Sequence, residues 1–336
     1  MITVVEASPS GGRVSKAVRR APLASFLVLS CLLSWWPAAM YAAGASPVPI
    51  AGFGPFLAAV IVLALTTGRT GITQLLRSMV HWRVPARVYL AAIGLPLLAS
   101  GTAILANLAL GAAQPLKVDW ALWWTVPFTM LAFLLIPGIG GAWEEPGLRG
   151  FALARFEKRF GLLAGPLVLG LFWVFWHGPL FLVGQILWTD AIQVVAVSVV
   201  IAAVFHSARD SVLIVMLMHA TNNAIGGGFA SELFHGSDQV SLGWLTAAIW
   251  WLLAAGVLIR VWRSRRDAAP SRSDQPTDTA QPTSSASRAT ASATRGPNIT
   301  ASLRSAPAIT TRSASDGASS ATRLLSSGGT TESRSP

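Results

Sequence analysis

Charge is what this chain has least of. Only 12% of its 336 residues are Asp, Glu, Lys or Arg, against about 25% in a soluble globular protein. That scarcity excludes a soluble cytosolic enzyme. With 53% apolar residues, a chain disordered throughout is excluded as well. Cysteine is scarcer still. Cys31 stands alone, so neither an intrachain disulfide nor a thiolate metal site can be built. It lies inside an apolar run, where a buried helical cysteine fits better than a lipoprotein cleavage box. The sequence has no internal repeat and no Gly-rich phosphate loop, which argues against a primary pump. Acidic residues are outnumbered, 14 against 25 Lys and Arg, for a formal net charge of +11. The excess does not point to nucleic acid. Its basic residues flank apolar runs or lie in a low-complexity tail, as membrane topology requires.

What is present is a series of long apolar runs. Residues 88–136 carry Lys117 and Asp119 as their only charges. Runs of this kind, separated by short charged loops, predict an all-α, polytopic transmembrane helix bundle. About eight spans are expected, at roughly 22–43, 49–67, 88–112, 121–142, 162–184, 190–206, 210–228 and 241–262. The connections alternate in charge. Arg13, Lys16, Arg19 and Arg20 precede the first span; Arg69, Arg77, Arg83 and Arg87 follow the second; Arg149, Arg155, Lys158 and Arg159 follow the fourth; Arg260, Arg263, Arg265 and Arg266 follow the last. The connections between are neutral, acidic or nearly so, and the positive-inside rule then places both termini in the cytoplasm of a cell-membrane protein. Residues 68–87 interleave Leu75, Leu76, Met79, Val80 and Trp82 with arginines, and read as an interfacial amphipathic stretch. The expected organisation is a cytoplasmic segment over 1–20, a transmembrane domain over 21–263 and a disordered Ser/Thr/Arg-containing tail over 264–336, too poor in apolar residues to offset its ordering entropy.

An ionisable residue at bilayer depth is a functional hypothesis by default. Three groups qualify. Glu144, Glu145 and Arg149 lie at the basic end of span four. Adjacent carboxylates repel, and Glu145 and Arg149, four apart, can pair within one helical turn. An ordinary charged helix end is the alternative. His177 falls inside span five among aromatics, and a core histidine bonded to a carbonyl is the alternative there. His219 and Asn223, at i and i+4, project from one face of span seven, where polar residues can also simply glue helices. Together the three groups can converge only in the bundle interior. Glu, His and His suit activation of a water molecule and also suit zinc, while Asn and His can donate to a developing oxyanion.

The set Glu144-Glu145 to Arg149, Trp173 to His177, and His219 to Asn223 resembles the CPBP family of CAAX-protease and bacteriocin-processing membrane proteins, also called Abi and related to the type II CAAX prenyl endopeptidases. The matched core covers about 120–228. The first and third motifs match fully, including Gly150 and the Ser211-Val212-Leu213 lead-in. The second has Trp173 where the family usually has Phe, so pocket shape is expected to change more than chemistry. The resemblance implies an intramembrane endopeptidase acting on a membrane-associated or lipidated peptide or protein in the lipid bilayer. By that analogy Glu144 and His177 activate water, His219 and Asn223 stabilise the oxyanion, and Glu145, Arg149 and Trp173 support the site. Glutamate-type and metal-dependent mechanisms both remain open, the second with zinc on Glu144, His177 and His219. A non-catalytic scaffold or bacteriocin-immunity protein and a small-molecule transporter are the other readings. One depth mismatch stands. From Leu162, His177 lies about 22 Å along its span, against about 13 Å for His219. A separate helix over 150–160 would reconcile them.

Overall fold

The computed structural model describes residues 12–113 and 121–267. Among the described residues every regular element is helical. In chain order they are α1 (Arg13–Arg20), α2 (Pro22–Ala42), α3 (Gly54–Thr66), α4 (Arg69–Met79), α5 (Ala86–Ala109) and α6 (Ala121–Leu135). After three short turns containing α7 (Glu145–Gly147) come α8 (Ala154–Trp176), α9 (Gly178–Leu182), α10 (Trp188–Ser207), α11 (Val212–Asn223) and α12 (Ser237–Asp267).

Six helical runs are long and apolar enough to cross a membrane: α2, α5, Ala142–Trp176, α10, Val212–Phe229 and α12. The chain is a multi-pass membrane protein. The other two expected spans are shorter than the sequence suggested. Helix α3 has 13 residues and α6 has 15, which at 1.5 Å per residue is about 20 and 22 Å, below the roughly 30 Å of a hydrocarbon core. Proline explains both trims. Pro47 and Pro49 keep the chain before α3 out of the helical region, and Pro137 does the same to Ile136 after α6. The stretch after α3 forms the amphipathic helix α4, with Gly71 and Leu75 buried and Leu76 exposed.

Helices α10 and α11 form the centre. In each of the two runs that contain them, 61% of the most apolar window is buried, against 22% in α2 and α12. Around this pair, α10 packs on α8 and α12, α11 packs on α5 and α6, and α2 packs on α3. Ser211 starts α11. Its hydroxyl accepts from the Ile214 amide and donates to the His81 carbonyl at 2.6 Å, an N-cap that also ties the helix to the preceding basic loop.

Helix α8 is two arms. Gly161, at φ 83° and ψ 166°, breaks it, and the chain folds so tightly that a Cβ on Gly165 would come within 2.8 Å of the Glu157 backbone. Glycine alone adopts that conformation without penalty. Residues 154–160 thus form the separate helical arm that the depth mismatch called for. At its other end α8 is pinned to α2. Trp176 Nε1 donates to Ser34 Oγ at 3.0 Å, and Trp35 Nε1 donates to the Trp176 carbonyl at 2.9 Å.

Residues 13–20 of the expected N-terminal segment are helix α1, and α12 continues through 264–267, where Arg265 and Arg266 suit the negative end of the helix dipole. The rest of the expected tail, and the loop with Lys117 and Asp119, lie outside the described residues.

Candidate active site

The site is assembled from three pieces of chain. The first follows α6. Pro137 stops the helix, and Gly138, Gly140 and Gly141 take left-handed conformations. A tight turn over Ala142–Glu144, helix α7 and a π-helical turn over Leu148–Leu153 carry the chain on to α8. Pro146 sits in the first turn of α7, where its missing N–H costs nothing. Helical spacing brings Arg149 back onto Glu145, with Nη1 donating to Oε1 at 2.9 Å and both side chains fully buried. The two neighbouring glutamates face different partners. Glu145 Oε1 also accepts from His219 Nδ1 at 2.7 Å, whereas Glu144 Oε2 accepts from the Trp173 indole N–H at 2.6 Å.

The second piece is the end of α8. Trp173 is buried, and its ring lies 4.4 Å from the Arg149 guanidinium carbon and 5.3 Å, edge on, from His219. His177 is not inside a span, as its aromatic surroundings suggested. It caps α8, between Trp176 and the start of α9. Pro179 ends α8 there, because it has no N–H to give the Phe175 carbonyl four residues back and its ring clashes with that carbonyl, and α9 restarts with Pro179 in its first turn. His177 Nδ1 lies 2.9 Å from the Trp173 carbonyl. A carbonyl only accepts, so Nδ1 carries the proton and Nε2 is the basic nitrogen in the neutral ring.

The third piece is α11, with His219 and Asn223 one turn apart on the face toward the glycine turn. Asn223 Nδ2 donates to the Gly140 carbonyl at 3.1 Å. A Cβ on Gly141 would lie 2.4 Å from His219 Nε2 and 3.0 Å from Asn223 Nδ2. Gly141, at φ 77°, therefore lets the backbone approach both side chains where no other residue could. A second π-helical turn, Ala224–Phe229, follows Asn223 directly, and such turns are frequent at functional sites.

The structure thus brings Glu144, Glu145, Arg149, Trp173 and His219 into one buried contact network, with Asn223 reaching it through the glycine turn and His177 through the backbone of Trp173. Among the described residues no hydrogen bond joins Glu144 to His177. Trp173 stands between them. Buried without a protein partner are Glu145 Oε2, Arg149 Nε and Arg149 Nη2. Such groups are costly to desolvate unless something completes them. The donor set expected for zinc does not fit this arrangement. Among the described residues no three His, Cys, Asp or Glu side chains group as a metal site.

Gly140 and Gly141 are the site residues that the residue pattern did not single out. Their signal was present in Pro137-Gly138-Ile139-Gly140-Gly141, a dense breaker cluster immediately before the glutamates. It lies inside the apolar run over 121–142, whose composition alone does not mark a helix end.

Residues 122–225 match the family described as Rce1-like, type II CAAX prenyl endopeptidase Rce1-like. The matched residues contain all three motifs, so the resemblance read from them is shown over that stretch. A curated relative, CAAX prenyl protease 2 of Methanococcus maripaludis, is 25% identical over 104 residues. That alignment covers 27% of this chain and 38% of the relative.

Proposed function

We propose that the protein is an intramembrane endopeptidase that hydrolyses a peptide bond of a membrane-associated or lipidated peptide. The observation that carries this reading is the burial, in the interior of a multi-pass helical protein, of two glutamates, an arginine and a histidine contributed by separate elements. The match of residues 122–225 to a prenyl endopeptidase family supports the same reading.

The reaction needs a base, a nucleophile and a place for negative charge. Water is the nucleophile. Glu144 takes its proton, assisted by His177 Nε2, and the hydroxide adds to the scissile carbonyl. His219 and Asn223 flank the position of the resulting oxyanion. Asn223 donates from Nδ2, and His219 donates from Nε2 when its ring carries both protons. Collapse of the tetrahedral intermediate breaks the C–N bond, and the proton held by Glu144 passes to the leaving amine. Glu145 does not touch the reacting atoms. It fixes His219 through Nδ1, and Arg149 balances its charge. No step is routed through zinc. Both termini are assigned to the cytoplasm, so a C-terminal alkaline phosphatase fusion is expected to be inactive and a green fluorescent fusion to fluoresce.

The test compares wild type with Glu144→Ala in membranes at equal expression, profiling membrane-associated peptide termini by mass spectrometry with and without a zinc chelator. Termini lost in the variant are expected, and they would name the substrate. Identical profiles would remove support for proteolysis and favour the scaffold reading. Loss of the wild-type termini on chelation would require a metal that these side chains acquire by rearranging.

A further inference from the structure

Trp173 touches Glu144, Arg149, His177 and His219. Its indole N–H donates to Glu144 Oε2 at 2.6 Å, its carbonyl receives the Nδ1 proton of His177 at 2.9 Å, its face meets the Arg149 guanidinium and its edge meets His219. Among the described residues this indole donates the one hydrogen bond that the Glu144 carboxylate receives. The motif resemblance puts phenylalanine at this position. Phenylalanine would keep the ring against Arg149 and His219 but has no hydrogen to give.

We infer that Trp173 is a positioning residue, its indole N–H holding one oxygen of Glu144 so that the other faces the water it deprotonates. The inference rests on the endopeptidase reading for its consequence, though not for the contact itself. A carboxylate with a free χ3 rotates between equivalent oxygens, and each wrong orientation subtracts from the productive population. An indole N–H is a donor only, and a buried one needs an acceptor. The pair therefore satisfies two buried groups at once. Substituting the ring edge changes chemistry as well as shape, contrary to what the aromatic-for-aromatic exchange suggested.

Two measurements test this on the full chain in detergent micelles. The first is the indole 1H–15N spectrum of wild type, Trp173→Phe and Glu144→Ala. Trp173→Phe identifies the Trp173 signal by its loss, and that signal is expected downfield in wild type and displaced in Glu144→Ala. A Trp173 signal indifferent to Glu144→Ala overturns the inference, whether or not the protein cleaves anything. The second is turnover of a quenched-fluorescent farnesylated peptide ending in a CAAX sequence. Trp173→Phe is expected to lower kcat about tenfold with KM within twofold, because the lost contact orients a catalytic group rather than substrate. Replacing Trp173 by 3-benzothienylalanine, which keeps the bicyclic shape and lacks the N–H, is expected to reproduce that loss. Full kcat in the benzothienyl variant also overturns the inference. An inactive wild type with a shifting indole signal would count against the endopeptidase reading alone.

Discussion

Two histidines in this protein are each held by a carboxylate, and they sit in opposite surroundings. His219 meets Glu145 at 2.7 Å, and Glu145 meets Arg149 at 2.9 Å, with Glu145 and Arg149 side chains at 0% exposure. His206, at the end of α10, meets Glu157 at 2.8 Å and Asp210 at 3.2 Å, with its side chain 45% exposed. Near-identical contacts carry different weight. Around His206 and Asp210, with side chains 45% and 53% exposed, water and ions already solvate the charges, so that pair adds little, while Glu157 reaches His206 from a side chain 10% exposed. Together these contacts tie the first arm of α8 to the turn after α10. Around His219 each partner is a condition for the other's burial, and removing one leaves an uncompensated charge. That contrast separates the buried cluster, the candidate site, from the more exposed one, a tether between helices.

The largest separation between the two clusters should appear in turnover. Glu144→Gln is expected to lower the cleavage rate by about 10²–10⁴-fold, whereas His206→Ala should leave it within twofold, measured on the same reporter peptide. Stability should follow. Glu145→Ala strands Arg149 and is expected to cost about 3–5 kcal/mol, while Asp210→Ala, at the exposed partner of His206, should cost less than about 1 kcal/mol. Equilibrium unfolding in mixed micelles reads both, and equal losses would erase the distinction. Gly141→Ala should fall between. The left-handed backbone costs about 1–2 kcal/mol, and the new Cβ displaces His219 Nε2, so turnover is expected to fall at least tenfold.

The smallest effect belongs to Asp210. Its carboxyl is held below the usual carboxylate range by the hydrogen bond from His206. A depressed carboxyl contributes stability that is fully present above the ordinary value near pH 4 and is lost as pH falls through its lowered value. Asp210→Asn should therefore narrow the stability difference from wild type as pH drops below about 4, in a pH series of melting curves.

The charged side chains of the site were legible because ionisable residues are conspicuous among so few charges. Glu145 with Arg149, and His219 with Asn223, follow from helical spacing alone. What escaped reading has a common physical cause. Apolar composition does not say where a helix stops, so α3 and α6 looked longer than they are, and Gly140 and Gly141 were hidden inside a run without charge. His177 looks central because the apolar run over 162–184 is continuous in composition, and only Gly178-Pro179 marks the helix end beside it. The bond from Trp173 to Glu144 depends on which way a ring edge points across 29 residues, and no periodicity encodes that.

Asn223 already gives a hydrogen to the Gly140 carbonyl. The same amide nitrogen carries a second hydrogen, and the first bond fixes the plane in which that second one points. Under the proposed reaction the glycine turn thus aims a donor before substrate arrives, and nothing has to reorganise when the oxyanion forms. A charged oxygen draws far more from such a donor than a neutral carbonyl does. On that account Asn223 speeds the chemical step more than it tightens the grip on substrate.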